Sequence, residues 1–300
     1  MPKITIELNT YTHSSLITRH SSLLLKEIAL SSSPLLVNTL AERMKSGGLG
    51  LNLMIRHART VDIALAARTC GFDGLFFDLQ HGVVPENEVS QMCVAAMNMG
   101  ITPLVRVPEK DYAAALRMLD NGAQGIIMPE VTTVEDARNS VAACKYPPVG
   151  NRGAFGGWAH FAYRSIPAAE ARKAINDATL LILMVESKAA LENIEAIAAV
   201  PGVDVIHIGT NDLSTDLGHP GELAHPDVIA AIGRVAKACK ANGKFTGVGG
   251  LYGGDAAKAL PEVIKLGAQF ITSASEWNLM MMSGIERVKS LRAFDLTAKK

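Results

Sequence analysis

Two short apolar runs constrain this chain more than any other feature. LLILMV (180–185) and VDVIHIG (203–209) are almost continuously apolar, and each stops abruptly, the first at Glu186 and the second at Thr210-Asn211-Asp212. A strand that is apolar on both faces must be covered on both, as strands of a parallel sheet are. Between the runs, Leu191, Ile194 and Ile197 recur at helical spacing until Pro201-Gly202 breaks the pattern. Parallel neighbours need such a crossover, so the stretch reads as strand, helix, strand.

The same rhythm extends over most of the sequence. GLGLNLMI (48–55), GLFFDLQ (74–80), TPLVRVP (102–108), GIIMPEV (125–131), FTGVGG (245–250) and FITSAS (270–275) bring the strands to eight. Helical patterns fall between them at Arg59 to Cys70, 86 to 99, Asp111 to Asp120, Thr133 to Cys144, 226 to 241 and 255 to 266, with a last one from Trp277 to Arg292. Asn121-Gly122 after Asp120 is a good helix stop. Eight strands alternating with helices, repeating at roughly 20 to 35 residues, predict an α/β fold of the (β/α)8 TIM-barrel type. A doubly wound open sheet would usually have fewer strands and a phosphate-loop glycine fingerprint, which the sequence lacks. Residues 1–40, rich in Ser, Thr and Leu, fit the rhythm poorly and read as an N-terminal extension to a barrel domain at 41–300. One long interruption, Tyr146 to Thr179, mixes Gly, Pro and aromatics with few helix formers. A loop that long is usually functional, and the expectation is that it covers the top of the barrel.

Basic and acidic residues balance at 29 each, which points away from nucleic acid or an anionic membrane as partner. Cys70, Cys93, Cys144 and Cys239 are scattered, with no zinc or disulfide spacing. No run is long and apolar enough to span a membrane. SSLLLKEIAL (21–30) is interrupted by Lys26 and Glu27, so it is a poor signal core. A cytoplasmic protein is expected.

In a barrel, polar residues at the C-terminal ends of the strands line the active site. Here these are Asp78, Gln80 and His81 after the second strand, Arg106 at the third, Glu186 at the fifth, Asp212 at the sixth, and Ser273 to Glu276 at the eighth. Glu186 or Asp212 alone could be a helix cap. Together, on strands ~4.8 Å apart, they can share one hard cation with oxygen ligands at ~2.1 Å, as magnesium or manganese prefers. Arg106 in an apolar strand needs a partner or a ligand, because an unpaired buried charge is costly. His81 is the candidate base. Asp120 by itself merely closes a helix, and His207 inside its strand reads as a core histidine. His57, His160 and His219 receive no role, and Tyr112, Trp158 and Trp277 read as packing. No lysine ends a strand at this rim, which argues against a Schiff-base enzyme.

Taken in order, these motifs resemble the HpcH/HpaI aldolase family, the metal-dependent class II pyruvate aldolases, over about Ala41 to Arg292. The matching pieces are FDLQHG with His81, PLVRVP with Arg106, LDNGAQGIIMPEV with Asp120, NRGAFG, MVES with Glu186, and GTNDLSTDLG with Asp212. The resemblance implies cleavage of a 4-hydroxy-2-oxo acid to pyruvate and an aldehyde, and the reverse aldol addition. It implies Glu186 and Asp212 as ligands of magnesium, manganese or cobalt, and Arg106 at the keto oxygen. His81 would be the acid–base residue, paired with Asp120, and the amides of Gly209, Thr210, Asn211 and Asp212 would cradle the carboxylate. It also implies a homo-oligomer, often hexameric, with the last helix exchanged between subunits. Gln80 stands where many relatives have Glu, Met184 where some have Gln, and Thr210 where Pro is usual; GAFGGWAHF also differs from the usual small-residue loop. Two other readings fit the residues: oxaloacetate decarboxylation at the same site, and a barrel that binds metabolites without catalysis.

Overall fold

In a computed structural model that describes residues 34–295, the eight apolar runs form parallel strands that close into one barrel in sequence order. They are β1 Gly50–Ile55, β2 Gly74–Asp78, β3 Thr102–Arg106, β4 Gly125–Met128, β5 Leu180–Val185, β6 Val205–Gly209, β7 Phe245–Gly249 and β8 Ala268–Ser275. β1 pairs with β8 and completes the ring, with Gly50 opposite Phe270. Because side chains alternate along a strand, one set fills the barrel and the other faces the helices. Phe76, Leu104, Ile127, Ile182, Val205 and Phe270 form the inner core. Leu75, Phe77, Val105, Ile126, Leu181 and Ile206 belong to the outer one. This double burial is why the strands are apolar throughout.

The helices begin with α1 Thr39–Lys45, α2 Asp62–Cys70, α3 Glu86–Asn98, α4 Tyr112–Asp120, α5 Val134–Cys144 and α6 Ala168–Ala178. They continue with α7 Lys188–Glu192, α8 Ile194–Ala198, α9 Thr210–Asp216, α10 Pro226–Ala241, α11 Gly254–Lys258, α12 Leu260–Leu266 and α13 Glu276–Arg292. The helix expected over 255–266 is two, α11 and α12. Pro261 falls in the first turn of α12, where its missing N–H and fixed φ are tolerated but could not continue a preceding helix. α5 opens with a capping box between Thr133 and Asp136, a reciprocal satisfaction of two amides that would otherwise lack partners.

α1 stoppers the N-terminal end of the barrel. Its Leu40, Ala41 and Met44 are buried and share the inner core with Phe76 and Phe270. Gly50 permits the approach: a Cβ there would overlap Leu40 Cδ1 and lie 3.2 Å from Met44 Cγ. Asn38, the N-cap, accepts from the Ala41 amide at 2.9 Å and donates to the carbonyls of Gln124 and Ala178 at 3.2 and 2.8 Å. Such a cap contributes about 1 kcal/mol. The compact unit holding the barrel starts at Leu36, so α1 begins inside the stretch expected to be extension. The rest of that extension, residues 1–33, lies outside the described residues.

The interruption Tyr146 to Thr179 corrects two expectations. It contains a helix, α6, whose Ala171, Ile175 and Ala178 are buried at helical spacing, and a 3-10 turn at Ala159–Phe161. It also lies at the opposite end of the barrel from the strand C-termini. The segment leads from a helix into a strand, and a helix-to-strand connection returns the chain to where strands begin. His160 Nε2 there contacts the Ala123 carbonyl at 3.0 Å, just ahead of β4. Among the described residues, no helix is long and apolar enough to cross a membrane.

Candidate active site

The strand C-termini surround a cleft of about 570 Å³ lined by Gln80, His81, Glu130, Val131, Thr132, Glu186, Ser187, Asp212, Thr215 and Asp216. Beside it, Asp78 and Arg106 answer the demand for a partner. Each ends its strand, and they are register partners across β2 and β3. The guanidinium forks onto the carboxylate, Nε to Oδ1 at 2.9 Å and Nη2 to Oδ2 at 2.7 Å. Both side chains are almost fully buried. Asp78 Oδ1 also accepts from the amides of Gln80 and His81 at 3.1 and 3.2 Å, and Arg56 Nε approaches Oδ2 at 3.4 Å. Burial alone would raise the Asp78 carboxyl; the hydrogen bond and charge of Arg106, the His81 amide and the Arg56 charge outweigh it and hold the carboxyl below its usual range. The third guanidinium nitrogen, Nη1, makes its one hydrogen-bond contact among the described residues with the Met184 sulfur, at 3.8 Å.

Glu186 follows β5 and is buried, whereas Asp212 in the first turn of α9 is exposed; both line the cleft. The one hydrogen bond Glu186 receives from the described residues is from the Glu130 amide, to Oε2 at 3.2 Å. Burial pushes its carboxyl up to about 7. The Glu130 amide and Arg106 oppose that rise, and the negative charges of Asp212 and Glu130 add to it. Gly209, at the end of β6, makes room: a Cβ there would overlap Glu186 Oε1 and stand 3.0 Å from both Cγ and Cδ. Thr210 is buried and donates its hydroxyl to the Gly249 carbonyl at 2.7 Å, which anchors the start of α9. Asn211 is exposed beside it.

His81 is at the rim with an exposed side chain. Asp120 does not meet it within one chain. Asp120 ends α4, a helix that runs back toward the strand N-termini, and it pairs there with buried Arg152 at 2.6 Å. The pairing of His81 with Asp120 is therefore not made in the chain; the acid nearest the His81 backbone is Asp78. His207 is a core residue as expected. Its ring packs edge-on to Phe76 and Phe270 at 6.3 and 5.3 Å, and burial first, then the Arg106 charge, lowers it to about 3.

Two residues at the site, Arg56 and Glu130, were not singled out from the sequence, and Asp78 was placed at the rim without a chemical role. Asp78 carries the same signal that marked Glu186, a charged residue that ends an apolar run. Glu130 is one of four non-glycine residues with positive φ among the described residues, at 53°. Its carboxylate accepts from Gln80 Nε2 at 3.1 Å, so an acid does stand beside Gln80, supplied from the end of β4.

The profile of the HpcH/HpaI aldolase/citrate lyase family matches residues 54–281. A 4-hydroxy-4-methyl-2-oxoglutarate aldolase from Hapsidospora irregularis is 35% identical over 263 residues, covering 86% of this chain and 96% of its own. A 2-dehydro-3,6-dideoxy-6-sulfogluconate aldolase from Pseudomonas putida is 33% identical over 258 residues, covering 83% and 94%. Among solved structures, an HpcH/HpaI aldolase from Desulfitobacterium hafniense superposes with a TM-score of 0.80 at 29% identity, covering 87% of this chain and 98% of that one.

Proposed function

Because the chain belongs to the HpcH/HpaI aldolase/citrate lyase family, we propose that it is a lyase that cleaves a 4-hydroxy-2-oxo acid to pyruvate and an aldehyde, with a divalent cation held by Glu186 and Asp212. The observation that carries this reading is the placement of those two strand-end acids in one cleft beside Arg106.

The residues fit a cation. Glu186 is buried, receives a single hydrogen bond and feels a second carboxylate. A carboxylate so placed is poorly satisfied by the protein alone, and an all-oxygen donor pair suits magnesium, manganese or cobalt. When bound, the ion would supply Lewis-acid charge to the oxygens on which negative charge develops as the carbon–carbon bond breaks. Arg106 adds a fixed positive charge. Its fork to Asp78 immobilises the guanidinium and leaves Nη1 able to donate to the 2-oxo oxygen. The amides of Gly209, Thr210, Asn211 and Asp212, where α9 starts, would hold the carboxylate of the 2-oxo acid. His81, exposed at the rim of the cleft, would take the proton from the 4-hydroxyl, the general-base role that histidine fills most often. Asp78 fixes the His81 backbone through its amide.

The chain is read as a homo-oligomer. α13 has no buried residue and exposes Trp277, Met281, Met282, Ile285, Val288 and Leu291, a patch of the kind that marks an interaction surface. It is the helix that family resemblance expects to be exchanged. The cytoplasm remains the proposed location.

The test is exchange of the pyruvate C3 hydrogens with deuterium oxide, followed by NMR across a metal series. Exchange should require the cation, stop with chelator, and fall sharply in Glu186→Gln. Exchange at full rate in chelator would sink the assignment.

A further inference from the structure

Granting the aldolase reading above, we propose that Glu130 selects the second half of the substrate: the cleft admits an uncharged, hydroxyl-bearing electrophile and disfavours one that ends in a carboxylate. Glu130 follows β4 with φ of 53°, a conformation that is costly for a residue with a Cβ and that concentrates at functional sites. Two contacts come with it. The amide donates to Glu186, and the carboxylate stands in the cleft wall, held by Gln80 Nε2 at 3.1 Å.

Gln80, His81 and Glu130 line the same cleft, so a substrate whose 4-hydroxyl reaches His81 would extend its remaining substituents along a wall that includes the Gln80–Glu130 pair. Hydrogen-bond acceptors dominate there. Gln80 Oε1 is buried without a partner, and the Glu130 carboxylate has lone pairs to spare. The cations that could balance a distal carboxylate are engaged elsewhere. No lysine or arginine is among the lining residues. Arg106 is forked to Asp78, and Arg56 is turned to Asp78 and to the His81 carbonyl, at 3.4 Å each. With the ion balancing Glu186 and Asp212, the charges left on the lining are those of Glu130 and Asp216. A distal carboxylate beside Glu130 would meet repulsion with no lysine or arginine on the lining to balance it, whereas a hydroxyl would give the Glu130 carboxylate or Gln80 Oε1 a hydrogen.

The test uses three five-carbon 2-oxo acids that share a head group and differ at C5: 2-oxoglutarate, 2-oxopentanoate and 5-hydroxy-2-oxopentanoate. Binding to the full chain with manganese is measured by calorimetry. The hydroxylated acid should bind tightest and 2-oxoglutarate weakest, about five- to tenfold apart, as expected of like charges ~5 Å apart in largely hydrated surroundings. Glu130→Gln should close that gap by tightening 2-oxoglutarate, and added salt should narrow it in the unaltered protein. Glu130→Gly, which suits the positive φ, should behave like the Gln variant and so separates charge from any folding defect. If 2-oxoglutarate binds as well as the hydroxylated acid, or if neither variant changes the ratio, the role of Glu130 is overturned while the aldolase reading stands. If none of the three binds to folded, manganese-loaded protein, the 2-oxo acid site itself fails and the inference falls with it.

Discussion

Adding one methyl group at Gly209 should remove the proposed cation without unfolding the barrel. The backbone there, φ −85° and ψ 97°, suits alanine, so no conformational penalty arises. The whole effect is steric. A Cβ at 209 overlaps Glu186 Oε1 and lies 3.0 Å from Cγ and Cδ, against an ordinary carbon contact of about 3.5–4.0 Å. The Glu186 side chain must therefore swing by roughly 0.5–1 Å, and it is flexible enough to do so. Coordination bonds tolerate only about 0.2 Å. Losing a group that orients a ligand typically costs ~10- to 100-fold in metal affinity, or about 1.4–2.8 kcal/mol, while mild overpacking costs about 1 kcal/mol of stability. Manganese affinity, read by electron paramagnetic resonance or calorimetry, should fall by that factor in Gly209→Ala. The urea midpoint should move only slightly. Because the effect acts through Glu186, the double variant with Glu186→Gln should be no worse than Glu186→Gln alone. Unchanged affinity in folded Gly209→Ala, or losses that add in the double variant, would refute the chain of reasoning.

Two further outcomes concern stability. Asp78→Asn leaves the Arg106 guanidinium buried without its counter-charge, so unfolding in urea should show about 3–5 kcal/mol lost; a loss under ~1 kcal/mol would mean that the fork is not structural. Without metal, Glu186 titrates at about 7 against an ordinary 4.5, so the folded state binds more protons between those values. Stability should then fall as pH rises from about 4.5 to 7, by up to ~3 kcal/mol, and Glu186→Gln should flatten that limb. Asp78 has the opposite sign: its carboxyl is held below 3.8, so its contribution is present above that value and is lost as pH falls further. A metal-free protein whose stability is level from pH 5 to 7 would contradict the placement of Glu186.

Period and termination were legible in the sequence; adjacency across the barrel was less so. Each β strand is a continuous apolar run because both faces are covered, and that pattern alone yields eight staves. Glu186, Asp212 and Arg106 stood out because a charge ending such a run has few structural excuses, and the structure places all three around the cleft. The same logic applied equally to Asp78, but its partnership with Arg106 depends on register between β2 and β3, which no local pattern states. Glu130 was hidden because GIIMPEV reads as one strand, whereas the strand ends at Met128 and the backbone turns left-handed at Glu130. Asp120 does not meet His81 within the chain for a directional reason: it ends a helix, and helices in this fold run opposite to strands. The interruption after α5 misled in the same way, and its Gly-Pro start masked the helix Ala168–Ala178 behind it.

Among the described residues, Thr39–Lys45 corks the barrel from beneath and leaves the rim at the strand C-termini as the open end. Leu40 and Met44 fill the lower opening, so nothing traverses the molecule from end to end. Reactants and products share one threshold, and depth dictates sequence. If the 2-oxo acid sits against Arg106 as proposed, it should enter before the electrophile and leave after it, an order that product-inhibition kinetics would check. A short helix far from the chemistry thus helps to leave the molecule with one working face.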